Sequence, residues 1–160
     1  MTVKARTFLT KSGYKFIELN LKTIGNYAPQ DSEWNYSDVM HFAHVHKVFD
    51  QVILGLSNTT NCSFFIQKIL FMKIPNIIYQ IHETSNTHEY FGCALTTPIS
   101  IITNHNKSSE NEHANTLTNY RFYYQSFFGY MIALFAKYAA KNNYKKVIGE
   151  DMPMRSQRGL

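Results

Sequence analysis

Between residues 63 and 124 the chain repeats one kind of pattern five times and then abandons it for another. Residues 63–72, 77–83, 89–95, 99–104 and 116–124 are rich in β-branched and aromatic side chains, the composition that suits a pleated, half-buried surface. Residues 127–141 (FFGYMIALFAKYAAK) then carry apolar side chains at helical spacing, with a thick aromatic and aliphatic face. Upstream, residues 13–23 (GYKFIELNLKT) alternate apolar and polar, Phe16 and Ile17 aside, and read as a strand. Residues 36–54 place Val39, Met40, Ala43, Val45, Val48, Phe49 and Val52 at helical spacing, with Asn35 and Ser37 as N-cap candidates. The order is strand, short helix, several antiparallel strands, long helix. It predicts an α+β fold in which a curved sheet closes over the C-terminal helix and encloses an apolar cavity.

The 160 residues read as a single domain spanning positions 1–160, with no internal repeat and no linker. At 44% hydrophobic and 17% charged, the chain has enough apolar surface for a core without staples. Only Cys62 and Cys93 are present, which excludes a disulfide scaffold, a four-cysteine zinc site and a cysteine-held iron–sulfur cluster on this chain. The longest apolar runs, such as residues 131–135, are far short of a membrane span. Residues 1–11 have neither an apolar core nor a cleavage site, so no secretion signal is read and a cytoplasmic location is expected. The net charge of +5 is spread over Lys4, Arg6, Lys11, Lys15 and Lys22 early and Lys137, Lys141, Lys145 and Lys146 late. The late four recur at helical spacing and read as a solvated face, so no nucleic-acid surface is expected; an acidic redox partner is an equally natural use of the charge.

Chemistry concentrates among the seven histidines. His105 and His113 fall in the polar tract 104–115, expected to be a surface hairpin loop, and His82 and His88 flank a hairpin at 83–87 and read as surface residues. Residues 35–46 (NYSDVMHFAHVH) differ, because they pack three histidines and Asp38 into about two turns. Neutral imidazoles and a carboxylate are what a ferrous or zinc ion takes from protein. Asp38 and His41 are three apart and share a helix face, and His41 and His44 are also three apart. His41 and His46 are five apart, roughly 140° around an ideal helix. They reach one ion only if the helix ends or is irregular near residues 42–45. On geometry His41 with His44 is the simpler pair, and three part-exposed histidines on an amphipathic helix is the plain alternative. The 15% aromatic content likewise fits either an aromatic core or a cavity lined for a bulky apolar substrate.

The spacing Asn35-x2-Asp38-x2-His41-x4-His46 resembles the iron-site signature in the catalytic domain of Rieske non-heme iron oxygenases. That family draws its third ligand from a downstream Asp after a long helix, and residues 149–157 (GEDMPMRSQ) are similar to that context. The resemblance implies the helix-grip fold shared with START and Bet v 1-like proteins, and Fe(II) held by His41, His46 and Asp151, with open positions for dioxygen beside a bulky apolar, aromatic-type substrate. His44 would then lie beside the site or at the surface. Asp38 would bridge a ligand histidine to a two-iron two-sulfur Rieske cluster on another polypeptide, and Asn35 would support the iron site. The implied partners are a Rieske ferredoxin or cluster-bearing subunit, a reductase and further copies of the chain in a homotrimer. Two departures shape this expectation. The family's Cys-x-His and Cys-x2-His cluster motifs are absent, so electrons come from outside, and His46 and Asp151 are only 105 residues apart, with Leu160 nine residues further on. The chain is thus either part of a larger oxygenase or a minimal stand-alone domain. The competing expectation, from the same fold, is a metal-free carrier or cyclase for hydrophobic ligands. A third is a structural zinc site built on His41, His44 and a carboxylate.

Overall fold

The computed structural model describes residues 2–25, 45–46, 49–55, 60–69, 72–84, 86–107 and 114–158. Helix α1 (Thr2–Lys11) leads into β1 (Lys15–Gly25). The strands β2 (Phe49–Gly55), β3 (Thr60–Ile69), β4 (Met72–Thr84), β5 (Thr87–Ala94), β6 (Thr97–Lys107) and β7 (Ala114–Tyr124) follow, and helix α2 (Phe127–Arg158) comes last. The seven strands form one sheet in the order β1-β7-β6-β5-β4-β3-β2, antiparallel at every step. Strands β2 to β7 are therefore a meander, and β1 crosses the sheet to pair with β7. With α2 laid across one face, this is the helix-grip arrangement that the patterning and the resemblance predict.

Local chemistry sets the corners. Gly13, at φ +81°, ends α1, where the Tyr14 amide reaches back to the Leu9 carbonyl at 3.0 Å. Ser126 starts α2, its hydroxyl accepting from the Gly129 amide at 3.0 Å. Leu95 turns β5 into β6 at φ +54°. At Gly92 the strands come so close that a Cβ would stand 2.0 Å from the Ile77 carbonyl oxygen. Leu19, Ala94, Ile99, Phe122 and Ala133 make the core, and the small side chains of Ala133, Ala136 and Ala140 let α2 lie close to the strands. On the opposite face α1 is tied down by Arg6, which donates to the Ser100 hydroxyl at 2.9 Å and the Asn119 carbonyl at 3.3 Å. Beside it Arg121 donates to Glu18 at 2.6 Å and stacks over Phe16.

The structure corrects four expectations. Phe49–Gly55 is a strand, not the end of a helix reaching residue 54. Phe49, Val52 and Ile53 keep helical spacing, but pairing with β3 decides for the strand. Residues 104–107 and 114–115 belong to strands rather than to a surface loop, so His105 is buried instead of solvated. His88 is likewise buried, not a surface residue. The C-terminal helix runs well past residue 141 and carries Asp151 within it. Both cysteines are free thiols. Among the described residues no helix is long and apolar enough to cross a membrane.

Candidate functional site

The face of the sheet that meets α2 changes character along its length. In β6 the side chains on this face run Ile99, Ile101, Thr103, His105; in β7 they run Phe122, Tyr120, Thr118, Thr116; in β1 they run Leu19, Leu21, Thr23. The alternation of a half-buried strand is unbroken, but its inward residues pass from apolar to polar. The polar half is as buried as the apolar half: Thr103, Thr116 and His88 are 0% exposed and His105 1%.

These groups meet one another. The Thr103 and Thr118 hydroxyls are 3.2 Å apart, and His105 Nδ1 is 3.2 Å from the Thr116 hydroxyl. The His88 and His105 rings meet edge to face with centroids 5.2 Å apart. The α2 side adds Tyr144, whose hydroxyl is 2.7 Å from that of Thr23. It also adds buried Asn143, whose Nδ2 has no hydrogen-bond partner among the described residues. A buried surface of hydroxyls and two imidazoles can hold the oxygens of a ligand, and a neutral imidazole can both accept and donate a proton near neutral pH.

A second cluster lies two turns further along α2. His46, fully buried, places Nδ1 2.8 Å from Glu150 Oε2 and Nε2 3.1 Å from Asp151 Oδ1. Burial works against a charged imidazole here, but the hydrogen bonds and charges of Asp151 and Glu150 outweigh it, so His46 titrates above its ordinary value.

Of the five residues singled out by the resemblance, the structure therefore brings His46 and Asp151 together. Asn35, Asp38 and His41 lie outside the described residues, as do His44 and His113. Glu150, which takes the other imidazole nitrogen, was not anticipated. Nor were His88 and His105. The available signal for them was the period-2 run of Thr103, His105, Thr116 and Thr118 continuing the apolar alternation. Among the described residues no three His, Cys, Asp or Glu side chains converge as a metal site would require. A separate recess of about 450 Å³ lies where β7 turns into α2, lined by Lys15, Tyr124, Gln125, Ser126, Phe127 and Tyr130.

No family model matches this chain, and no curated protein matches it. Solved structures do. The Zhui aromatase/cyclase from Streptomyces sp. R1128 superposes with a TM-score of 0.70 over 91% of this chain and 95% of its own, at 10% identity. The di-domain ARO/CYC StfQ from the steffimycin biosynthetic pathway gives 0.75 over 89% of this chain and 52% of its own, at 8% identity. A START superfamily protein from Mycobacterium smegmatis gives 0.67 over 88% and 97%, at 9% identity. At these identities the likeness is one of fold.

Proposed function

We propose that the face between sheet and α2 binds a bulky, largely apolar small molecule bearing several oxygens, of the kind that polyketide-like rings and chains present. In this reading the protein is a metal-free binder with the equipment of a cyclase. The observation that carries the reading is the division of one continuous buried face. The half-buried Leu21, Ile101 and Tyr120, beside the packed core of Leu19, Ile99, Phe122 and Ala133, would hold rings or chain, while Thr103, Thr116, Thr118, His88 and His105 would hold carbonyl and hydroxyl groups. Two proteins of the same fold, Zhui and StfQ, are aromatase/cyclases, which fits this reading.

The chemistry available to such a pair is general acid–base catalysis. An imidazole next to a bound 1,3-dicarbonyl takes the proton from the carbon between the carbonyls, and the neighbouring hydroxyls and imidazole donate hydrogen bonds to the enolate oxygen that forms. Returning the proton to oxygen or carbon completes the cycle without any other reagent. The test is exchange of that carbon-bound hydrogen in D2O, followed by NMR on a cyclic 1,3-diketone. Wild type is expected to accelerate exchange and His88→Phe/His105→Phe to lose the acceleration. Binding without exchange would make the protein a carrier; neither would overturn the reading.

A second reading has its own observation. Two ligands at right angles on one ion, each at roughly 2.1 Å, stand about 3 Å apart, and His46 Nε2 and Asp151 Oδ1 are 3.1 Å apart. With Glu150 orienting the imidazole through Nδ1, these residues supply two donors for Fe(II). A third, His41, would have to come from outside the described residues. Ferrous iron there would supply dioxygen activation. Iron content after chelator-free purification, in wild type and His41→Ala, separates this reading from the first.

A further inference from the structure

The face of α2 that points away from the sheet is apolar where solvent would reach it. Phe127 is 79% exposed, Phe128 75%, Met131 49%, Leu134 36% and Tyr138 64%. Steps of four, three and four residues put Phe127, Met131, Leu134 and Tyr138 on one line along the helix. The same line continues as exposed Lys141 and Lys145, with exposed Lys146 alongside. At the other end, Lys15 shares the recess with Phe127. An apolar stripe is thus bracketed by cations on an external helix face.

We propose that this face of α2 docks flat on an anionic lipid surface. The aromatic, Met and Leu side chains would enter the boundary between headgroups and acyl chains, and Lys15, Lys141, Lys145 and Lys146 would meet lipid phosphates. Such a division of one helix into an apolar stripe and lysines is what interfacial association uses. A bilayer offers the negative charge that this chain, at +5, complements. A second copy of the chain complements it poorly. Side by side in the same direction, two such helices set lysines against lysines. The stripe itself, roughly 17 Å of a helix about 10 Å wide, falls well short of the roughly 800 Å² per partner of a stable protein interface. A lipid surface needs no matching shape and imposes no such minimum. The surface is opposite to the groups of the proposed ligand site, so lipid docking stands whether or not that site binds its ligand.

The experiment is flotation of the whole protein with vesicles of phosphatidylcholine alone and of phosphatidylcholine containing one-third phosphatidylglycerol, at low and high salt. Wild type is expected to float with the anionic vesicles at low salt and to be released by salt. Phe127→Ser/Met131→Ser and Lys141→Glu/Lys145→Glu should each lower partitioning roughly tenfold or more, with unchanged circular dichroism. Phe128→Ser/Tyr138→Ser replaces the first pair should it fail to fold. Wild type left in solution with both vesicle types, or both variants floating like wild type, overturns the proposal. So does a concentration-dependent dimer that the Phe127→Ser/Met131→Ser variant abolishes.

Discussion

Removing one of the two carboxylates on His46 separates what each contributes. The His46 side chain is 0% exposed and that of Asp151 4%, whereas Glu150 is 32% exposed. Asp151→Ala leaves a buried imidazolium facing a methyl group, and breaking a buried pair from one side costs about 3–5 kcal/mol. Glu150→Ala removes an acid that water already reaches, and such pairs contribute about 0.2–1 kcal/mol. The first effect depends on pH in a defined direction. His46 is raised in the folded protein, by Asp151 and Glu150 against burial, relative to about 6.5 in the unfolded chain. The stabilisation from the pair is therefore complete below about pH 6.5 and is lost as pH rises through the folded-state value. Urea unfolding of metal-stripped protein, followed by circular dichroism at pH 6 and pH 9, reads both terms. The Asp151→Ala deficit should be largest at pH 6 and shrink at pH 9, with Glu150→Ala small at both. Equal deficits for the two variants, or an Asp151 deficit that grows with pH, would mean that Asp151 does not hold a protonated His46.

Three further outcomes follow from the backbone and the polar face. Gly92→Ala places a Cβ 2.0 Å from the Ile77 oxygen and 2.9 Å from the Ile78 Cα, both backbone atoms; β4 and β5 must part, at about 3 kcal/mol or more, read as a melting temperature lower by about 6 °C or more. Leu95→Gly relieves a left-handed backbone at a half-exposed side chain and should raise stability by about 0.5–1 kcal/mol in the same melt. His105→Leu leaves the buried Thr116 hydroxyl without its imidazole partner, so the ligand-free protein should lose about 1–3 kcal/mol and the diketone exchange should fall; the same stability loss with exchange unchanged would mark His105 as structural only.

The meander and the long helix were legible because their periods are strong. Strands β3 to β7 alternate β-branched and aromatic residues, and α2 begins directly after them with a helical stripe. Strand β2 was not legible, since Phe49, Val52 and Ile53 continue the helical spacing that runs from residue 36; the β3 edge beside it decides for a strand. Among the described side chains of helix α1, Leu9 is the one buried apolar residue, and Arg6 ties the helix to the sheet, so its pattern gives little warning. His88 and His105 were misplaced by their polar neighbours in sequence. Their burial depends on which face of the sheet α2 covers, a fact of tertiary structure. The contact of His46 with Asp151 was reached through a family resemblance, while the reason it forms is a helix that persists through position 151, beyond what the apolar spacing of residues 127–141 indicated.

In the proposed reading, one buried face recognises an apolar body and its oxygens together. Fluorescence titration of metal-stripped protein with a dihydroxyanthraquinone, set against anthracene of the same ring size, tests it most directly, with Thr118→Val and His105→Leu alongside. Saturable binding of the quinone is expected, at least about tenfold tighter than the hydrocarbon as two or more charge-neutral hydrogen bonds would give, with loss of that preference in both variants. Equal affinity for the two ligands, or quinone binding that appears only when ferrous iron is added, would contradict it.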